Sequence, residues 1–221
     1  MLYIIGSMEE INLLNHNIMK GETKILTPLQ FQRFVSSIPK KKYRTMFEAL
    51  FYSGMRYREF MRLYKHPETF DGFSIHVKKF KPKQRIKDRY VHLNHLGRMA
   101  VNNFLMSGLK PPHPINWVSD VQRWAGYAGF NPKEFGAKTT RKTWESWLIA
   151  TKPHMIVKIV MSQGHSESVS LLHYANIPFY PEEIRAMFTY VADWGETSGQ
   201  RLMVPSPGQS HHESNHPFHN W

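Results

Sequence analysis

Ser53-Gly54-Met55-Arg56-Tyr57-Arg58-Glu59-Phe60 separates two stretches of helical patterning, and its reading decides how the chain around it is arranged. Before it, Tyr43, Met46, Phe47, Leu50 and Phe51 recur at the spacing of one buried helix face. Ser53-Gly54 interrupts that helix, and a short new one is predicted from about Tyr57 to Leu63. Arg56 therefore stands on a glycine-led turn at a helix start.

Upstream, Thr27-Pro28-Leu29-Gln30 is a capping box with proline at the first helical position, where its missing N–H costs nothing. Phe31, Phe34, Val35 and Ile38 continue that helix, and the basic turn Lys40-Lys41-Lys42 leads into the next. Residues 1–26 show no clear domain and read as an N-terminal extension. Ile11, Leu13, Leu14, Ile18 and Met19 fit part of a short helix there.

Downstream the period changes. Phe73, Ile75 and Val77 alternate, as do the residues from Arg89 to Leu93, and the basic stretch between them contains Pro82. This predicts a β-hairpin with a long positive turn. Helical patterns return at about 96–107 (Leu96, Met99, Phe104, Leu105) and 117–128 (Val118, Val121, Trp124, Ala125). Further helices are predicted at about 138–150, with Trp144, Trp147 and Leu148 inward, from Pro153, and at about 166–174. A last one opens at Pro181-Glu182-Glu183, with Ile184, Met187, Phe188 and Val191 on one face and acids in the first turn to suit the macrodipole. From about Gly195 the chain turns to Gly, Ser, Pro and His. The expected fold class is mainly α with a small antiparallel β-hairpin, a domain over 27–194 and a flexible tail over 195–221. His211, His212, His216 and His219 belong to that tail, where nothing fixes a metal geometry.

The chain has 221 residues, enough for one domain with a real core. It has no cysteine, which excludes a disulfide framework, a thiolate metal site and a cysteine nucleophile. No apolar run approaches the roughly 18 residues of a membrane span, and the start lacks the basic region of a signal peptide. The expected compartment is cytoplasmic, in association with the nucleoid. Lys and Arg number 29 against 17 Asp and Glu, a formal charge of +12. Lys78, Lys79, Lys81, Lys83, Arg85, Lys87, Arg89 and Arg98 form one cluster opposed only by Asp88, and Lys138, Arg141, Lys142, Lys152 and Lys158 a second with Glu145 its only acid. Such clusters suit a polyanion, and nucleic acid is the expected partner.

Three segments carry chemistry together: Gly54-Met55-Arg56-Tyr57-Arg58-Glu59, Lys138-Thr139-Thr140-Arg141, and Gly164-His165-Ser166 with Tyr174 nine residues after the histidine. Phosphodiester cleavage by direct attack places extra negative charge at phosphorus. Two arginines can hold the non-bridging oxygens in bidentate fashion, and Arg56 and Arg141 fit that task. His165 can add a hydrogen bond. Tyr174 offers a phenol whose pKa a cationic cluster would lower, and a hairpin lysine can protonate the leaving 5′ oxygen. Such a set acts by electrostatic stabilisation and expects no metal or other cofactor. Taken singly, each residue has an ordinary reading. Arg56 fits a surface arginine, Arg141 an exposed i,i+4 pair with Glu145, His165 a helix cap and Tyr174 a core aromatic.

In this order the segments resemble the tyrosine recombinase (phage integrase) family, whose pattern is TGLRxxEL, then HxxR, then LGHS with a nucleophilic tyrosine nine residues on. The resemblance covers about 27–180. It implies the tyrosine recombinase catalytic-domain fold and a site-specific recombinase or integrase that works through a 3′-phosphotyrosyl intermediate. It implies catalytic roles for Arg56, Lys138, Arg141, His165 and Tyr174, and a homo-oligomer, a tetramer on DNA, for which the helix at about 181–194 is the candidate contact, packing on its own domain being the equal alternative. The family's catalytic lysine lies just after the first hairpin strand. Lys79 is favoured for it, with Lys81 and Lys83 competing and otherwise binding the DNA backbone together with Arg85. Lys138 replaces the usual histidine, as in some archaeal virus integrases, and fits a phosphate contact better than a base. Family members carry an N-terminal helical domain that completes a clamp around DNA, for which 26 residues are too few. A catalytic-domain fragment, a minimal enzyme and one piece of a split integrase gene all accommodate that. The rival functions are a non-catalytic DNA-binding integrase remnant and a nicking-closing activity like that of type IB topoisomerases.

Overall fold

A computed structural model describes residues 8–78, 88–164 and 177–196, with side chains from residue 12 onward. Its helices are α1 (Met8–Asn15), α2 (Pro28–Ser37), α3 (Lys41–Ser53), α4 (Tyr57–Lys65), α5 (His95–Met106), α6 (Pro114–Tyr127), α7 (Thr139–Thr151), α8 (Ile156–Gln163) and α9 (Pro181–Val191). Strands β1 (Ile18–Lys20) and β2 (Thr23–Ile25) form one antiparallel hairpin. Strands β3 (Ser74–Val77) and β4 (Arg89–His92) form another, pairing Ile75 with Val91 and Val77 with Arg89. The mainly helical fold with small antiparallel β elements is the one expected. No helix among the described residues is long and apolar enough to cross a membrane.

The predicted helix starts have the chemistry read from them. Thr27 Oγ1 accepts from the Gln30 N–H, and the Gln30 side chain accepts from the Thr27 N–H at 3.2 Å. Pro181 opens α9 with Glu182 and Glu183 in its first turn.

Helix α7 is the hub of the core. Trp144, Trp147 and Leu148 are fully buried. The Phe51 ring of α3 lies 5.3 Å from Trp144 and 5.0 Å from Trp147, edge to face, and Tyr190 of α9 lies 5.2 Å from Trp147. Each such ring buries enough area to dominate its neighbourhood, and edge-to-face packing adds about 0.5–1.5 kcal/mol.

Several expectations are corrected. Ile18 and Met19 lie on β1, not on a helix; Ile18, Ile25 and Leu26 are buried in the core. The segment is fastened to α7, where Trp147 Nε1 donates to Leu26 O at 2.8 Å and the Leu26 N–H donates to Thr143 Oγ1 at 3.2 Å. Met99 and Phe188, counted on inward faces, are each 50% exposed. Ala100, Val101 and Phe104 line the inner face of α5 instead, and Met187 and Val191 that of α9. Phe73 precedes β3, is exposed and carries the Arg98 guanidinium over its ring. The helix expected at 166–174, the basic turn over 79–87 and the tail beyond residue 196 lie outside the described residues.

The end of α9 is clipped to its own domain. Trp194 is buried, with Nε1 donating to His92 O at 3.0 Å. Asp193 accepts from the His95 N–H at the start of α5 and from Arg98 at 3.2 Å. The 181–194 segment, the candidate for contacts between copies, thus packs on its own chain.

Candidate active site

Two glycines end helices in left-handed geometry close to one another. Gly54, φ +59°, caps α3, and Gly164, φ +66°, caps α8. Helix C-termini leave carbonyls without intrahelical partners at the negative end of the dipole. Here arginines take them. Arg141 of α7 donates from Nη1 to Gly54 O at 2.8 Å and from Nη2 to Gln163 O. Arg56, at the N-cap of α4, donates from Nη2 to Gly164 O at 3.1 Å. The two arginines singled out from the sequence therefore reach adjacent carbonyls, immediately before His165.

Neither glycine has room for a side chain. A Cβ at Gly54 would lie 2.6 Å from Gln163 Oε1 and 2.8 Å from Trp144, and one at Gly164 would lie 2.8 Å from Arg89 Nε. Gln163 is buried, and its amide has no hydrogen-bond partner among the described residues.

Beneath Arg56 sits a buried carboxylate. Glu59 accepts from the Arg56 N–H at 2.9 Å and from Arg56 Nη1 at 3.0 Å. Arg89, the first residue of β4, grips the same carboxylate with Nη1 at 3.1 Å and Nη2 at 2.8 Å, and its Nε donates to Ser162 O at 3.0 Å. Burial alone would raise the Glu59 pKa. The hydrogen bonds and charge of Arg89, then of Arg56, outweigh burial and bring it down to about 2. Glu59 is thus ionised at any ordinary pH.

Arg141 is buried, so the exposed pair with Glu145 is not what its side chain makes. Burial and then the neighbouring Arg56 charge lower its pKa to about 10, which leaves it cationic near neutrality. Two guanidinium groups, Arg56 and Arg89, bond one carboxylate here, while the nearby Arg141 is held by backbone carbonyls. Such a site favours an incoming anion, and the side chain of Arg56 is 43% exposed to meet one.

The other sequence candidates separate. Lys138 is exposed at the N-cap of α7 and lowers the pKa of Lys142 after burial has done so first. Lys142 itself donates to Lys20 O at 2.7 Å and Thr23 Oγ1 at 3.0 Å, so it fastens the β1–β2 hairpin. Lys158 donates to Gly195 O, and Lys152 pairs with Glu196. Much of the second basic cluster therefore serves local contacts. Lys79, Lys81, Lys83, Arg85, His165 and Tyr174 lie outside the described residues. Among the described residues no group of three His, Asp or Glu side chains is placed to hold a metal ion.

Counting Arg89 among the cations that suit a polyanion is corrected, since its side chain is buried and spent on Glu59 and Ser162; the sequence reading gives Glu59 no role. A signal for each exists. Alternation that turns Val91 and Leu93 inward also turns Arg89 inward, and Glu59 lies among the inward Tyr57, Phe60 and Leu63 of a short helix.

No protein-family model matches the sequence, and no curated protein does. Solved structures do match the fold. XerA recombinase superposes with a TM-score of 0.56 at 17% identity, over 76% of this chain and 65% of that one. XerH site-specific recombinase bound to its difH substrate, in a pre-cleavage complex, gives 0.54 at 17% identity, over 69% of this chain and 50% of that one. A post-cleavage complex of XerH on a palindromic difH substrate gives 0.51, also at 17% identity, over 75% of this chain and 49% of that one. The chain thus spans from about half to about two thirds of the length of the structures it matches. The fold is that of a tyrosine recombinase catalytic domain.

Proposed function

We propose that this chain is a site-specific DNA recombinase or integrase that cleaves and rejoins duplex DNA through a tyrosine. The observation that carries the reading is the convergence of Arg56 and Arg141 on the consecutive carbonyls of Gln163 and Gly164, next to His165. No single-residue account of either arginine requires the other, and a phosphate clamp requires both.

In the proposed reaction the scissile phosphate lies against Arg56 and Arg141, with His165 and Lys138 as further donors. The phenolate oxygen of Tyr174 attacks phosphorus and forms a 3′-phosphotyrosyl ester. The bond to the 5′ oxygen breaks, and that oxygen takes a proton from a lysine of the 79–83 stretch, Lys79 by preference. A 5′-hydroxyl of the partner strand then attacks the ester and reverses the step. The ester bond energy is retained, so no nucleotide is consumed. Catalysis is stabilisation of the charge that develops on the phosphoryl oxygens.

The +12 charge and the likeness to the DNA-bound XerH structure support duplex DNA as the partner. We extend the reading to assembly of several copies on one DNA site, to a nucleoid location, and, from Lys138 in place of histidine, to an integrase of archaeal virus or plasmid type. Lys81, Lys83 and Arg85 are assigned to the DNA backbone.

The test is a suicide-substrate assay. The chain and its Tyr174→Phe variant are incubated without metal with nicked duplexes and resolved on a denaturing gel. A protein–DNA band that requires Tyr174 is expected. Retained DNA binding with no band on any duplex would turn the assignment towards a non-catalytic binder.

A further inference from the structure

Arg89 is a cation at this site that the proposed chemistry does not use, and its surroundings are unlike those of a surface arginine. Its side chain is 7% exposed and that of Glu59 only 2%. Both Nη groups go to the Glu59 carboxylate and Nε goes to Ser162 O, so all three nitrogens are engaged inside the protein. Its Nε also forms the wall against Gly164, where a Cβ would approach to 2.8 Å. In the chain it pairs with Val77 at the mouth of the β3–β4 hairpin, beside the basic stretch that follows Lys78. One guanidinium therefore touches α4 through Glu59, the end of α8 through Ser162 and Gly164, and the root of the hairpin.

We propose that Arg89 is a positioning residue that sets Arg56 through the shared Glu59 carboxylate and holds the Gly164 turn in place, so that the two sides of the phosphate site keep their spacing. This rests on the strand-transfer reading for its consequence in catalysis, though not for its structural content. The physical argument is one of competition. Glu59 is ionised and buried, and its two oxygens take two donors from Arg89 and one from the Arg56 side chain. Without Arg89 the carboxylate keeps Arg56 as its one hydrogen-bonded guanidinium partner among the described residues, and a buried carboxylate draws its partner inward. Arg56 would then leave Gly164 O and turn from the exposed face. Lysine cannot replace Arg89, because one ammonium does not reproduce a fork to the carboxylate plus a separate Nε bond to Ser162. Arg89 does not touch the reacting atoms in this account, which makes its effect wholly indirect.

The experiment uses the full chain as wild type, Arg89→Lys, Glu59→Gln, Arg56→Ala and the Arg56→Ala/Arg89→Lys double variant. Side-chain proton–nitrogen NMR of the arginines, with Arg56 and Arg141 assigned by substitution, reads geometry without any reaction. Arg89→Lys and Glu59→Gln are expected to shift or broaden the Arg56 guanidinium signals while the Arg141 signals persist. In the nicked-duplex assay at saturating DNA, Arg89→Lys is expected to slow adduct formation about 100-fold, the loss that a misplacement on the order of 1 Å produces. DNA affinity is expected to stay within about two-fold, and the double variant to be no slower than Arg56→Ala. Unchanged Arg56 signals in Arg89→Lys overturn the proposal, as does an adduct rate within three-fold of wild type. Losses that multiply in the double variant overturn it too, since they would mean that Arg89 acts independently of Arg56. A wild-type chain that forms no adduct defeats the strand-transfer reading, and the NMR signals then decide the positioning role by themselves. A purely structural Arg89 would lower the melting temperature and leave both the Arg56 signals and the rate of the folded protein unchanged.

Discussion

Arg141 Nη1 meets the carbonyl of Gly54 at 2.8 Å, although 87 positions separate them in the chain. The bond works because Gly54 ends α3 in the left-handed region and turns its carbonyl out of the helix. Alanine at this position is expected to be strongly destabilising. The left-handed backbone costs a non-glycine residue about 1–2 kcal/mol, and the Cβ would meet Gln163 and Trp144 well inside contact distance. Together the expected loss is about 2–4 kcal/mol, read as a lower urea midpoint at unchanged slope. A Gly54→Ala midpoint equal to wild type would show that the turn can relax.

Glu59 predicts an acid limb. Its pKa falls from 4.5 in the unfolded reference to about 2 in the fold. A depressed carboxylate contributes stability that is present above the unfolded value and lost as pH falls through the folded one. The contribution, about 3 kcal/mol from the size of the shift, should therefore disappear between about pH 5 and pH 2. Glu59→Gln is expected to be less stable than wild type at pH 7 and to lose less on going to pH 3. Parallel stability curves for the two proteins would remove the ionic account of Glu59.

Arg141→Lys keeps the charge and loses the fork. Lysine cannot serve Gly54 O and Gln163 O with the same planar geometry. If the strand-transfer reading holds, adduct formation on nicked duplexes falls about 100- to 1000-fold, the scale of removing a preorganised donor to a developing oxyanion. DNA affinity at moderate salt changes little, because Arg141 is buried and contributes one contact among many. A rate near wild type would mean that Arg141 is structural only.

Binding to duplex DNA should weaken steeply with salt. If the basic stretch around residues 78–87 and the surface beside Arg56 neutralise about six phosphates, log K against log salt has a slope near −5. A flat dependence between about 50 and 200 mM salt would argue against any extended backbone contact.

Removal of residues 1–26 tests whether that segment is an appendage. It buries Ile18, Ile25 and Leu26, and it supplies the carbonyl to which Trp147 Nε1 donates. Three buried aliphatic side chains are worth about 4–8 kcal/mol, a large part of the 5–15 kcal/mol typical of a domain. A chain starting at Thr27 is expected to melt at least about 10 °C lower or to lose its cooperative transition. An unchanged melt would make the segment dispensable.

Much of this architecture is legible in the sequence where local rules and long-range packing agree. The Thr27 capping box, the Pro181 helix start and the alternation on both sides of the basic stretch each specify an element by neighbours a few residues away. The β1–β2 hairpin escapes such reading because its strands are three residues long, too short to display a period, and it exists to cover α7. Arg56 and Arg141 are legible as chemistry, yet the reason they coincide is not. They are held by main-chain carbonyls, which every residue possesses and no motif records. Arg89 hides differently. In a run of cations it reads as one more surface charge, and only the parity of its strand places it inward beside Val91.

The central position of α7 also bears on how the protein is made. Trp147 closes on Leu26 across 121 positions, and His16 closes on Glu183 across 167. Contacts of such separation slow folding, since loops must be closed before they are rewarded. During synthesis at about 5–20 residues per second, roughly 2–7 s pass between Trp147 and Glu183. For that interval the nascent chain holds an aromatic core whose two covers, the β1–β2 hairpin and α9, cannot yet both be in place. The stage most exposed to aggregation, and most open to chaperones, is thus the last stretch of translation.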